Sequence, residues 1–235
     1  MFRMSENIKK ITKAFVVDLD SSENQNILKH SARPFNNQAH QVDKVAKKIY
    51  ELIEDTKHSN DGIILNHNEI KEAFFSPFKP QLKNAQVFLS HSHADKNKAL
   101  KVKGYLESET NCRVFIDLLF WDYKDDVLNE LAKYDDTSKI EDAFTLILRE
   151  SLQDMIEKCP YFVFLQSNNS VSNQGLSRIT YSAWIYEELK IAHSISSKSR
   201  LTIMMENAQV SHNISPFLED LETITLERLS HIINS

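Results

Sequence analysis

The sequence predicts an α/β fold in which a parallel β-sheet is covered by helices on both faces. Short runs rich in valine, isoleucine and phenylalanine recur in the last two-thirds of the chain and are bounded by polar or turn-forming residues. Longer segments with apolar residues at three- and four-residue spacing separate these runs, as in amphipathic helices. Strands that alternate with helices pair in parallel, because each helix carries the chain back to the same end of the sheet.

The first third of the chain lacks this alternation. Residues 1–34 mix lysine, asparagine and serine with one short apolar run, Phe15-Val16-Val17, and no element is predicted there. Apolar residues at helical spacing predict a helix over 37–56 and a shorter helix over 68–75. This part of the chain is therefore predicted to be a helical N-terminal extension.

Two prolines, Pro77 and Pro80, interrupt the chain after the second helix. We place a domain boundary there, between an extension over 1–82 and an α/β domain over 83–235. Strands of the domain are predicted at 86–90, 113–117, 161–165 and 201–205. Its helices are predicted at 94–107, 127–132, 140–158, 182–195 and 226–233.

The composition disfavours several kinds of site and location. The net charge of −5 does not favour a nucleic-acid-binding face. The three glycines cannot form a glycine-rich phosphate loop, and the common zinc signatures are missing. No apolar run approaches the roughly 20 residues of a membrane span, and residues 1–13 lack the apolar core of a signal peptide. Two cysteines, Cys112 and Cys159, are expected to be reduced thiols, so we expect a cytoplasmic protein.

Three polar segments follow predicted strands or begin a predicted helix. Their position matters because ligands of parallel α/β sheets bind at the carboxyl ends of strands. The first segment, Ser90-His91-Ser92-His93-Ala94-Asp95, comes directly after the strand at 86–90. Its serines and aspartate are good helix caps, so capping alone is one explanation and a ligand site is the other. The two histidines suggest a metal as a further alternative, but no third ligand is evident.

The second segment follows the strand at 113–117 and holds Asp117, Trp121 and Tyr123. Aromatic residues in such a loop can stack on a base or a nicotinamide ring, or contact a protein partner. Their burial in the core would explain them equally well. The residues alone leave both interpretations open.

The third segment is a helix that carries a carboxylate on its apolar side. On a helical wheel over 184–195, the apolar residues form one continuous arc that contains Glu188, whereas Glu187 and Lys190 lie opposite. Trp184 lies one turn before Glu188. A buried carboxylate must find partners or take up a proton, because desolvating a bare charge costs on the order of several kcal/mol. Glu188 is thus either a catalytic group or a structural glutamate bonded to backbone amides or a basic side chain.

These segments, in this order, resemble the motifs of bacterial TIR (Toll/interleukin-1 receptor) domains. The matching stretches are VFLSHSHAD (Val87–Asp95), RVFID (Arg113–Asp117), YFVFLQSNNSVS (Tyr161–Ser172) and SAWIYEEL (Ser182–Leu189), the last of which is similar to the family's SxWCxxEL motif. Ile185 stands where that motif has cysteine, and the loop after Asp117 lacks the Pro-Gly pair often found there. The resemblance covers about two-thirds of the chain.

The resemblance implies a flavodoxin-like, doubly wound fold with five parallel strands. It also implies that the chain, like some members, is an NAD glycohydrolase that cleaves the nicotinamide–ribose bond of NAD⁺ to give ADP-ribose or a cyclic product. The catalytic glutamate of the motif corresponds to Glu188. The substrate site would be formed by Ser90, His91, Ser92, Asp117, Trp121 and Trp184. NAD⁺ would be the substrate, with no separate cofactor and no metal.

Three functions stay open at this point. The first is an NAD-consuming TIR protein of bacterial anti-phage defence, and the second is a scaffold that only docks to other TIR domains. The third is a flavodoxin-like nucleotide-binding protein without hydrolysis. Family members often assemble head to tail and complete the site between protomers. The expected partners are therefore NAD⁺, other TIR domains and a downstream effector or sensor protein, with neither nucleic acid nor a membrane.

Overall fold

The structure is a computed structural model. It describes most of the chain, namely residues 13–31, 47–52, 54, 66–75, 84–116, 126–130, 132–133, 138–174, 177–196 and 211–235. The chain divides into two compact units. The first unit combines Met1–Phe35, Ala85–Asp117 and Gln153–Ser235. The second unit combines Asn36–Asn84 and Leu118–Leu152.

The described residues form strands β1 (Lys13–Asp18), β2 (Ala85–Ser90), β3 (Arg113–Ile116), β4 (Tyr161–Gln166), β5 (Ser172–Gln174), β6 (Ser177–Thr180), β7 (His212–Asn213) and β8 (Glu222–Thr223). They also form helices α1 (Ser22–His30), α2 (His67–Phe75), α3 (Lys96–Glu109), α4 (Ser138–Lys158), α5 (Ala183–Ser196), α6 (Ser215–Glu219) and α7 (Leu226–Asn234). A turn of 3₁₀ helix, His93–Asp95, leads into α3. Residues 126–130 are also helical.

Five strands make a parallel sheet in the order β3-β2-β4-β1-β8. The register places Phe164 of β4 between Val16 of β1 and Ser90 of β2. Consecutive residues of β4, from Phe162 to Leu165, are all fully buried, so both faces of this strand are covered. Phe162 also stacks on Phe88 of β2, with 5.8 Å between ring centroids. The predicted α/β class and parallel pairing are confirmed.

Strand β1 corrects the prediction that residues 1–82 form a helical extension. It lies inside the sheet, where its residues pair with β4 on one side and with β8 on the other. Phe15, Val16 and Val17 are at most 2% exposed. A strand buried on both faces shows no alternation of apolar and polar residues, so a run this short gives no periodicity to read. The predicted boundary at 82/83 therefore misses the N-terminal part of the sheet-containing unit.

The longer predicted elements of the α/β domain, and the shorter helix predicted before it, are confirmed. Strands β2, β3 and β4 and helices α2, α3, α4, α5 and α7 begin and end within about two residues of their predicted limits. Within the predicted helix at 37–56, residues 47–52 are helical, and its other residues are mostly outside the described ranges. The strand predicted at 201–205 lies entirely outside them.

A small antiparallel sheet, β5-β6-β7, stands beside helices α5 and α6 in the first unit. Tyr186 of α5 stacks on His212 of β7 at 4.8 Å between ring centroids and meets Phe217 of α6 edge-on at 5.5 Å. His193 of α5 lies 2.8 Å from the carboxylate of Asp220, from Nδ1 to Oδ2. These contacts cover the side of α5 that lies opposite the apolar arc of the helical wheel.

The second unit contains α2 and the N-terminal part of α4. The Glu150 carboxylate on α4 lies 2.9 Å from Nε2 of His67 and 3.8 Å from Nζ of Lys71, both on α2. Ile70 and Ala73 of α2 and Ile147 of α4 are buried. No helix in the described ranges is both long and apolar enough to cross a membrane.

Candidate functional site

A hydrogen bond joins the carboxyl end of β2 to helix α5. The Ser90 hydroxyl donates to Oε2 of Glu188 at 2.5 Å, and both residues are 0% exposed. This length falls in the range of about 2.5 to 2.7 Å that is typical of a hydroxyl donating to a carboxylate. Two residues 98 positions apart in the chain are thus held together where a central strand ends.

Helix α5 sets the position of Glu188. Ser182 begins the helix, since its hydroxyl accepts the backbone N–H of Ile185 at 3.3 Å. Ile185, Leu189 and Ala192 are each 1% exposed and surround Glu188 on the buried side of the helix. The wheel therefore identified the buried side of α5 correctly and placed Glu188 on it.

The burial of Lys190 differs from what the helical wheel predicts. It is 7% exposed, although the wheel assigns it to the polar side of α5. Its ammonium lies 3.3 Å from Oε1 of Glu187 and 5.8 Å from the centre of the Tyr186 ring. Because β7 and α6 pack against this part of α5, the helix is covered on more than one side, which a single-helix pattern does not reveal.

A second cluster joins the carboxyl ends of β2 and β4. Asp95, 1% exposed, accepts hydrogen bonds from the Ser167 hydroxyl and, at 2.9 Å, from Nδ2 of Asn169. Ser167 also accepts the backbone N–H groups of Asn169 and Ser170 at 3.0 and 3.3 Å, which fixes the turn after β4. The Asp95 carboxylate therefore orders the chain that leaves the neighbouring strand.

The N-terminal strand contributes to the same edge of the sheet. Asp20, two residues after β1, accepts from Lys98 Nζ at 2.8 Å and from the backbone N–H of Asn168 at 2.9 Å. Lys98 also lies 3.7 Å from Oδ1 of Asp95. The Lys98 hydrogen bond lowers the pKa of Asp20 below its usual value, with a further contribution from Asn168. In return, the Asp20 carboxylate raises the pKa of Lys98.

The residues predicted for the substrate site differ in how far they are exposed to solvent. Ser90 and His91 are buried, whereas Ser92 and Trp184 are half-buried. Asp117 and Trp121 lie outside the described residues. Among these positions, Ser90 makes a direct hydrogen bond to Glu188, the predicted catalytic residue.

Helix capping does not account for the polar segment after β2. Ser92 and Asp95 occupy N-cap positions, of the 3₁₀ turn and of α3, and neither makes a side-chain capping hydrogen bond. Asp95 instead binds side chains of the turn after β4. In the part of the chain that the structure describes, no group of three or more histidine, cysteine, aspartate or glutamate side chains is arranged to hold a metal ion.

The sequence reasoning did not single out Ser167, Asn169, Asp20 and Lys98 as members of this edge. One signal was available for the first two, because the run Ser167-Asn168-Asn169-Ser170 directly follows a buried strand. Asp20 had no such signal, because β1 itself was not predicted. Lys98 resembles any other exposed lysine on a helix.

Comparison with known proteins adds no identification: no family model matches the chain, and neither a curated protein nor a solved structure matches it significantly.

Proposed function

We propose that this chain is a TIR-like NAD glycohydrolase, which cleaves the bond between nicotinamide and ribose in NAD⁺. The observation that carries the proposal is the buried Glu188 carboxylate, bonded to Ser90 at the carboxyl end of a central parallel strand. This is the edge of an α/β sheet at which ligands bind. We propose this activity for bacterial anti-phage defence in the cytoplasm.

The strand order supports a doubly wound, flavodoxin-like arrangement as part of this proposal. The chain runs from β2 outward to the edge strand β3 and then returns to the other side of β2 to form β4. The strand order thus reverses between β2 and β4, and ligand crevices of open α/β sheets form at such reversals. Ser90 and Asp95 follow β2, and Ser167 follows β4, so the polar residues flank this point.

The chemistry that suits Glu188 is stabilisation of positive charge. Nicotinamide leaves NAD⁺ as a neutral molecule, so little acid catalysis is needed, and the barrier lies in forming a ribosyl oxocarbenium ion. A fixed carboxylate beside the ribose stabilises that cation, as in glycoside hydrolysis. Water then attacks the anomeric carbon and loses a proton to give ADP-ribose, or a nucleophile within the same molecule gives a cyclic product.

The remaining substrate contacts belong to the proposal. Trp184 lies one helical turn before Glu188 and is half-buried, which suits a ring that encloses nicotinamide. We assign His91 and Ser92 to the substrate because they directly follow Ser90 at the end of β2. Asp117 and Trp121 keep their proposed roles from the resemblance alone.

Glu188 is 0% exposed, so it must become accessible before it contacts a substrate. We propose that self-assembly with other TIR domains provides this step. The test is to incubate the purified full chain with NAD⁺ at high protein concentration, with and without a crowding agent, and to quantify released nicotinamide by chromatography. Glu188→Gln should lower the rate about 10²- to 10³-fold, the usual effect of losing one preorganised group that stabilises a transition-state charge.

Glu187 offers a matched control on the same helix turn. Its carboxylate pairs with Lys190 at 3.3 Å and lies opposite the apolar arc that holds Glu188, so Glu187→Gln should keep the rate within a few-fold of the wild type. Thermal melting of each variant shows whether the fold survives. Equal rates for the wild type and Glu188→Gln would rule out Glu188 as the catalytic group.

A second function is favoured by the same burial. A fully buried glutamate that bonds a strand residue also suits a scaffold in which Glu188 is structural and the chain acts only by docking to other TIR domains or to an effector or sensor. Absence of nicotinamide release under crowding, together with self-association detected by light scattering, would favour the scaffold.

A further inference from the structure

We infer that Ser90 is a positioning residue, which orients Glu188 and does not itself contact the substrate; this inference rests on the proposed function. The resemblance assigns Ser90 to the substrate site. In the structure, its hydroxyl is 0% exposed and donates to Oε2 of Glu188 at 2.5 Å. A hydroxyl group has one proton to donate, and this one is already directed at the carboxylate.

Ser90 is well suited to this role because its backbone is part of the sheet. It is the last residue of β2 and stands in register with Phe164 of β4, which is itself 0% exposed. A side chain mounted on a central strand is more precisely placed than one mounted on a loop. The His91 side chain that follows is 4% exposed, so the chain stays buried beyond the strand end.

Helix α5 carries Glu188 on its apolar side, where a hydrogen-bond donor stabilises a carboxylate. Ile185, Leu189 and Ala192, each 1% exposed, lie along the same side of the helix. A carboxylate in such surroundings keeps its charge and its direction through the hydrogen bonds it accepts. The Ser90 hydroxyl therefore fixes one oxygen of Glu188 toward the end of β2, where the proposed reaction takes place.

The test is a double-mutant cycle on nicotinamide release by the full chain. Ser90→Ala should lower kcat about 10- to 100-fold, the range expected for one hydrogen bond to a charged group, and should leave KM nearly unchanged. In the Glu188→Gln background, the same change should cause little further loss, because Ser90 acts through Glu188. Ser90→Cys, which keeps a similar volume and a weak donor, should fall between the wild type and Ser90→Ala.

Two other results would overturn the inference. If Ser90 contacts the substrate, KM rises in Ser90→Ala and the two losses multiply in the double variant. If the hydroxyl serves only the fold, the melting temperature falls while kcat of the folded fraction stays at the wild-type value. A wild-type chain that releases no nicotinamide would instead contradict the proposed function itself, which separates the two failures.

Discussion

Helix α3 carries a half-buried glutamate and helix α5 a fully buried one, and the two carboxylates have different partners. Glu107 of α3 lies 2.8 Å from the ammonium of Lys103 and accepts the backbone N–H of Val114 at 3.0 Å. Glu188 of α5 accepts the neutral hydroxyl of Ser90. The first carboxylate faces a cation and a backbone group, and the second faces a hydroxyl at a strand end.

The partners of Glu107 explain its role. Val114 belongs to β3, an edge strand of the five-stranded sheet, and its carbonyl accepts from Lys103 Nζ at 2.5 Å. Lys103 and Glu107 thus bind the carbonyl and the N–H of Val114, so these two groups are not available for hydrogen bonds to another strand. Glu188 satisfies no comparable backbone group through the Ser90 contact. These contacts therefore place Glu107 at the edge of the sheet, where it holds backbone groups of β3, and Glu188 at the carboxyl end of β2.

Stability measurements give the largest expected difference between the two glutamates. Glu107→Ala leaves the Lys103 ammonium, only 8% exposed, without its carboxylate and leaves the Val114 N–H without its acceptor. We expect the free energy of unfolding to fall by about 3 kcal/mol, the lower end for breaking a buried pair. Glu188→Gln keeps an acceptor for Ser90 and should cost about 1 kcal/mol or less.

Chemical denaturation of the purified variants measures both effects. Glu109→Ala, an exposed change on the same helix, serves as the control and should stay within about 0.5 kcal/mol of the wild type. If Glu188→Gln destabilises the chain as much as Glu107→Ala does, Glu188 is a structural residue of the same kind and the comparison fails.

The pH dependence of stability tests a cation-paired carboxylate at the candidate-site end of the sheet. The pKa of Asp20 is lowered by Lys98, so the pair stabilises the fold above the unfolded-state pKa of about 3.9, and this contribution is lost as pH falls through the lowered value. The raised pKa of Lys98 extends the contribution to pH values above about 10. Because Lys98 is 41% exposed, solvent screening should keep the effect below about 1 kcal/mol.

Asp20→Asn should therefore be slightly less stable than the wild type at pH 7, and the difference should shrink below about pH 4 and vanish as pH falls through the lowered pKa of Asp20, where the folded wild-type carboxylate takes up a proton. Unfolding curves collected across this range measure the difference. A gap that stays constant down to pH 2 would show that the ion pair is not its source.

The smallest expected effect is a change in the rate of thiol labelling, which reports on the part of the sheet edge near Glu107. Burial raises the pKa of Cys112, and burial raises the pKa of Cys159 to about 12, so both should react slowly with an alkylating reagent at neutral pH. Glu107→Ala removes a negative charge near Cys112 and loosens the edge. Mass spectrometry should then show faster labelling of Cys112 but not of Cys159, whereas equal acceleration at both sites would indicate global unfolding.

Local pattern was sufficient where a segment was long or repeated. Strands β2 and β4 are apolar runs bounded by polar turns, and α4 and α5 repeat their apolar residues over several helical turns. Strand β8 was missed for the opposite reason. It consists of Glu222 and Thr223, two exposed residues that join the sheet through backbone hydrogen bonds to β1. Backbone hydrogen bonds can be made by almost any residue type, so the side chains do not indicate the strand.

The sequence by itself determined the α/β class, the types of the periodic elements and the side of α5 on which Glu188 is buried, because these follow from spacing within one segment. Only the tertiary structure decided the place of β1 in the sheet and the partners of the buried acids. Ser90 and Glu188 are 98 residues apart, and Asp95 and Ser167 are 72 apart. Such contacts depend on strand order and register, which bring distant segments together through backbone pairing that no local pattern encodes.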